Sequence, residues 1–80
     1  MKIRLLAFGI AKDIFNQSEL DFEISLGNSI SHLKQKLIEQ YPEFSKLQSL
    51  KFAINEDYQG DDYVIKQNDE VVIIPPVSGG

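Results

Sequence analysis

One stretch of helical period stands alone in this sequence. Ile30, Leu33, Leu37 and Tyr41, with Ile38 beside them, recur at the spacing of a single buried helix face. Ser29 is placed to N-cap that helix, because a hydroxyl oxygen there accepts a first-turn N–H. Three residues on stands His32 rather than Glu or Gln, so no capping box is expected. Pro42 closes the stretch, since the residue before a proline is pushed out of the α region. The prediction is a helix of about three turns, Ser29 to Gln40. A lone amphipathic helix must bury its stripe against something else, and the rest of the chain reads as strands.

Ile3, Leu5 and Ala7 alternate with Lys2, Arg4, Leu6 and Phe8, a period of two whose second face starts charged and ends apolar. Gly9 ends that strand. The stretch Ile10 to Phe15 reads as a loop or a short helical turn. Glu19 to Ile24 alternates most cleanly, with Leu20, Phe22 and Ile24 toward a core and the acids toward water, which signals an antiparallel, half-exposed strand. With a short loop between them, these two strands predict a hairpin. Phe44, Leu47 and Leu50 share the spacing of a short helical turn. Phe52-Ala53-Ile54 reads as a strand ending at Asn55, Glu56 to Asp62 as an acidic turn, and Tyr63 to Ile65 as a short extended piece. Lys66 to Asp69 reads as a tight turn with Asn68 at positive φ, and Glu70 to Ile74 as the last strand.

Strands gathered around one main helix imply an α+β domain, a mixed sheet with the helix packed on one face. A β-grasp arrangement fits, with the first and last strands parallel in the middle of the sheet. Eighty residues suffice for one modest core. The expected organisation is a domain over 1–74 followed by an extended tail over 75–80.

Composition removes several classes of function. A net charge of −4 lacks the basic footprint of a nucleic-acid binder. With no cysteine and one histidine, thiolate chemistry, disulfides and the common Cys or His metal motifs are excluded. Glu56, Asp57, Asp61 and Asp62 do not match the ligand spacing of a calcium loop, so no metal site is expected. No apolar run approaches the roughly 18 residues of a membrane span. No signal-peptide pattern follows Lys2 and Arg4, so the expected location is cytoplasmic.

What remains is the tail, Pro75-Pro76-Val77-Ser78-Gly79-Gly80. Two prolines fix the backbone just past the last strand. Gly79 and Gly80 carry no Cβ and can thread a narrow channel. Five residues from Pro76 reach roughly 16–18 Å, enough to enter a partner's active site. The Gly80 carboxyl carbon is the one reactive group such a tail offers.

Strand alternation supplies a second candidate. If Ile3, Leu5 and Ala7 face the helix, Leu6 and Phe8 do not. One of the pairs Val71/Ile73 and Val72/Ile74 must also face away. An apolar patch on an open sheet face marks a protein interface.

Phe8-Gly9, Ala11-Lys12-Asp13, Ala53-Ile54-Asn55, Ile65 with Asn68-Asp69-Glu70-Val71, and the Pro-Pro-Val-Ser-Gly-Gly ending together resemble the small, sulfur-carrying subunit of molybdopterin synthase (MoaD-type), a ubiquitin-like β-grasp family. The resemblance covers the whole chain. The family usually carries Gly where Asn68 stands and often where Asn16 stands; neither departure touches the tail. It implies that a ubiquitin-activating-like adenylyltransferase, using ATP, adenylates the Gly80 carboxylate, and that this chain binds no cofactor itself. The acyl adenylate then becomes a thiocarboxylate, and the tail enters the large subunit of a heterotetramer of two small and two large subunits. There its sulfur attacks the cyclic pyranopterin precursor of the molybdenum cofactor. The chain would be a sulfur-donating subunit with no side-chain catalysis of its own. By the same resemblance Phe8, Tyr58 and Ile74 are candidate partner contacts. Gly-Gly alone is shared with the thiazole-pathway sulfur carrier and with ubiquitin-like protein modifiers, the alternative readings.

Overall fold

The computed structural model describes residues 1–47 and 50–74. The elements are β1 (Lys2–Ala7), α1 (Gly9–Phe15), β2 (Glu19–Glu23), α2 (Ile30–Gln40), a 3₁₀ turn (Pro42–Lys46), β3 (Lys51–Ile54), β4 (Asp57–Gln59) and β5 (Glu70–Ile74). The sheet order is β2-β1-β5-β3-β4. β1 and β5 run parallel at its centre, and the other pairings are antiparallel. This is the ubiquitin-like β-grasp arrangement, α+β with a mixed sheet, as the element order predicts.

One face of the sheet carries the core. Ile3, Leu5, Ala7, Phe22, Phe52, Ile54, Val71 and Ile73 point to it and meet Ile30, Leu33 and Leu37 of α2, Ala11 and Phe15 of α1, and Phe44 and Ile65. The 3₁₀ turn expected near Phe44 forms, and there Phe44, Phe15 and Tyr41 close an aromatic triangle with ring centroids 4.9 to 6.3 Å apart. Edge-on packing of this kind adds to the gain from burial. Ile38, expected beside the buried stripe, is instead exposed.

Four local readings change. The 10–15 stretch takes the helical of its two readings, as α1, so it is the hairpin that changes: β1 and β2 pair antiparallel but are not joined by a short loop. Gly9 enters that helix at φ 57, where a side chain would be strained, and Asn16 leaves it at φ 63 with its N–H on the Lys12 carbonyl at 2.8 Å. At the start of α2 a capping box does form. The Ser29 N–H donates to His32 Nδ1 at 3.0 Å, while Ser29 Oγ accepts from the His32 N–H at 3.4 Å. An imidazole nitrogen thus stands in for the usual carboxylate. Within the 56–62 stretch lies a strand, β4, paired Ala53 to Tyr58. Tyr63 to Ile65 contributes a single bridge, Val64 to Ser29, rather than a strand.

Candidate partner-binding face

The sheet face away from the helices is organised by register. Glu19, Leu6, Val72, Ala53 and Tyr58 stand opposite one another in turn, one row across all five strands. Above that row, Ile74 pairs with Lys51. Phe8, still extended at φ −131 and ψ 159, follows the Ala7–Ile73 pair and comes level with Ile74. Below it, Arg4 sits between Asp21 and Glu70 and ion-pairs with Glu19 at 3.5 Å and Asp21 at 3.6 Å. The open face is therefore apolar toward the end where β5 finishes and charged toward the other.

Alternation left open which pair of β5 looks outward. Burial decides it: Val71 and Ile73 are buried, Val72 and Ile74 half-buried. Of the three candidate contacts, Phe8 is 56% exposed, Tyr58 68% and Ile74 half-buried. Large aromatics this exposed on one sheet face suit a protein interface better than a solvent face. Ala53 belongs to the row but was not singled out from the sequence; only its pairing with both Val72 and Tyr58 reveals it. A cavity of ≈ 380 Å³ opens beside Tyr58, lined also by Leu50, Phe52 and Gln59. Pro75, Pro76, Val77, Ser78, Gly79 and Gly80, the tail candidates, lie outside the described residues; β5 leads directly into them.

The other end of β5 is held by a polar knot. Asp69 is 6% exposed, and its carboxylate accepts from the Lys66 N–H at 2.8 Å, the Tyr63 hydroxyl at 2.9 Å and Asn55 Nδ2 at 3.0 Å. Burial alone would raise this carboxyl, but those bonds outweigh it and hold the group below the ordinary carboxylate value. Tyr63 is pushed up, first by burial and then by its bond to Asp69. Asn55 Oδ1 accepts from the Glu70 N–H at 3.1 Å, and its own N–H donates to the Glu70 carbonyl at 3.1 Å. Asn68, expected at positive φ, has φ 72.

No cluster of metal-ligating side chains occurs among the described residues, and no helix among them is long and apolar enough to cross a membrane. At the end where β5 finishes, this face presents apolar side chains, Leu6, Phe8, Val72 and Ile74.

A model of the ThiS family matches residues 5–80. A molybdopterin synthase sulfur carrier subunit from Dictyostelium discoideum is 35% identical, over 99% of this chain and 96% of its own. Among solved structures, a putative molybdopterin converting factor subunit 1 from Pyrococcus furiosus superposes with a TM-score of 0.86 at 20% identity, covering 96% of this chain and 99% of that one. A chain from a complex of subunits 1 and 2 of the molybdopterin-converting factor of Helicobacter pylori does so with a TM-score of 0.67 at 22% identity, covering 100% of both. The likeness to the small subunit of molybdopterin synthase thus runs along the whole sequence, and the chain belongs to the ThiS family.

Proposed function

We propose that this chain is the sulfur-carrier subunit of a molybdopterin synthase, acting in the cytoplasm. Its reactive group is the Gly80 carboxylate. In the proposed cycle that carboxylate attacks the α-phosphorus of ATP on an activating adenylyltransferase and releases pyrophosphate. A sulfide-level donor then adds at the acyl carbon and expels AMP, leaving a thiocarboxylate. The mixed anhydride supplies the leaving group that a free carboxylate lacks. In the large subunit the thiocarboxylate sulfur bonds to a side-chain carbon of the cyclic pyranopterin precursor as a carbon–oxygen bond at that carbon breaks, its oxygen leaving as water or with the opened phosphate. Water then cleaves the acyl–sulfur bond, so the sulfur stays on the pterin and Gly80 regains its carboxylate. Two such deliveries build the dithiolene.

The observation that carries this reading is the position of β5. It lies between β1 and β3, so the segment after Ile74 leaves from the middle of the sheet, beside Phe8 and the outward apolar row. A partner docked on that row lies beside the end of β5, where the tail begins. The relative named above, a molybdopterin synthase sulfur carrier subunit, and the subunit 1–subunit 2 complex support a large subunit as that partner. Phe8, Tyr58 and Ile74 are its proposed contacts, within a heterotetramer.

The test is the intact mass of the chain after incubation with the activating enzyme, ATP and a sulfur source. The expected result is one sulfur-for-oxygen exchange at Gly80. An unchanged mass under conditions in which AMP is formed would sink the reading. Stable adducts on lysines of other proteins would instead assign a protein modifier.

A further inference from the structure

We propose that the Asn55–Asp69 clamp sets the register of β5, and through it the point from which the tail is aimed. Asn55 and Asp69 are then positioning residues. The register part stands on geometry alone; only its consequence for transfer rests on the sulfur-carrier reading.

Register in a sheet is normally fixed by alternation, because a slip of one residue carries polar side chains into the core. In β5 that safeguard rests on Glu70 alone, opposite Arg4 at the start of the strand. Val71, Val72, Ile73 and Ile74 are apolar on both faces, and so are the stretches they pair with, Leu5-Leu6-Ala7 on β1 and Phe52-Ala53-Ile54 on β3. A slip that carries Val71 to the place of Glu70 exchanges one apolar set for another and loses little burial. The polar groups at the other end of the strand do discriminate. Asp69 is the one buried polar or charged residue among those described; its Oδ2 is held within the 63–69 segment, but its Oδ1 finds Asn55 Nδ2 across the strands in the native register. Asn55, at φ 48, spans the two strands with its amide and its backbone N–H. Moving β5 by one residue breaks all three of these Asn55 bonds and leaves Asp69 Oδ1 unpaired in a buried site, which costs more than an apolar exchange. The same slip displaces the start of the tail by about 3.3 Å and turns it to the other face. Group transfer is sensitive to misplacement of about 1 Å.

The hydrogen-bond roles dictate the test. In Asp69→Asn, the new oxygen can keep the Tyr63 and Lys66 bonds, but the new amide meets Asn55 Nδ2, donor against donor. Flipping the Asn55 amide only moves the conflict to the Glu70 N–H. In the double variant Asn55→Asp with Asp69→Asn, the new carboxylate at 55 accepts from both, and every bond is restored. Cross-strand nuclear Overhauser contacts of Ala53 and precursor conversion by the reconstituted synthase are measured for the wild type, the single and the double variant.

The single variant is expected to show Ala53 contacts to Val71 or Ile73 alongside Val72, with transfer down about tenfold or more. The double variant is expected to return to the Val72 contact alone and to regain transfer. A folded Asp69→Asn chain that keeps the single Ala53–Val72 register overturns the proposal, as does a register defect that the double variant does not repair. Should Asp69→Asn not fold, Asn55→Ala, which leaves the Tyr63 and Lys66 bonds intact, is read in the same way. If no chain, wild type included, transfers sulfur, the sulfur-carrier reading fails and the contacts still decide the clamp.

Discussion

Tyr63 donates its phenolic O–H to Asp69 Oδ2 at 2.9 Å, and this one bond helps move the two groups' titrations in opposite directions. Asp69 is held below its ordinary value of 3.8 and Tyr63 above its ordinary value of 10.0. Both shifts link stability to pH. For Asp69 the folded chain binds the proton less readily than the unfolded one. Its contribution is present above about pH 3.8 and is lost as pH falls through the folded value. For Tyr63 the folded chain holds the proton more tightly. Its contribution is complete below about pH 10.0 and is lost as pH rises toward the folded value.

Tyr63→Phe should therefore cost about 1.5–3 kcal/mol at neutral pH, the usual worth of a hydrogen bond to a charged group. The stability difference between wild type and variant should narrow at both ends, below the ordinary aspartate value and above the ordinary tyrosine value. Urea unfolding at a series of pH values measures it. A difference independent of pH would mean that the bond does not couple the two groups.

The reciprocal cap at Ser29 and His32 makes a separate prediction. The Ser29 backbone N–H can only donate, so His32 Nδ1 must accept and the ring proton belongs on Nε2. Nitrogen-15 shifts of the imidazole should report that tautomer. Ser29→Ala should cost about 1 kcal/mol, and His32→Ala should cost less, because it removes only the return bond. The double variant should lose less than the sum of the two by about 0.5 kcal/mol or more, since each side chain orders the other. Additive losses would show two independent contacts.

The first two strands and the buried helix stripe were legible because they rest on side-chain periodicity: Leu20 and Phe22, or Ile30, Leu33 and Leu37, announce a face. β4 was not legible for the opposite reason. Asp57, Tyr58 and Gln59 are all exposed on an edge strand held by backbone pairing alone, so no apolar alternation marks them. The turn that creates it was disguised as well. Asn55 and Glu56 both take positive φ, 48 and 78, the pattern of a two-residue hairpin turn. Glutamate rarely accepts that backbone, and a glycine in its place would have signalled the hairpin. The cap was missed because a histidine acceptor lies outside the usual residue set. Of the candidate site, Phe8 and Ile74 follow from alternation. Ala53 and the Asp69 knot do not, because they depend on which strands become neighbours.

Phe8→Asp tests the open face, and the fold makes it an unusually clean substitution. Phe8 is 56% exposed and occupies the N-cap of α1 without making a side-chain cap bond. Aspartate is among the residues that favour that position, so the variant should unfold at the same urea concentration as the wild type or a slightly higher one. Its charge would, however, sit level with Ile74 at the apolar end of the face. Binding to the molybdopterin synthase large subunit should weaken by about 2 kcal/mol or more, roughly thirtyfold in Kd, the scale of a central aromatic anchor. Leu26→Asp is the matched control. Leu26 is 85% exposed, in the loop that follows β2 at the Lys2 end of β1, so the same change there should leave binding unaltered. Titration calorimetry of the three chains against the large subunit decides the matter. Equal affinity for wild type and Phe8→Asp would remove this face from the interface, and equal losses at Phe8 and Leu26 would assign the effect to net charge rather than to the apolar row.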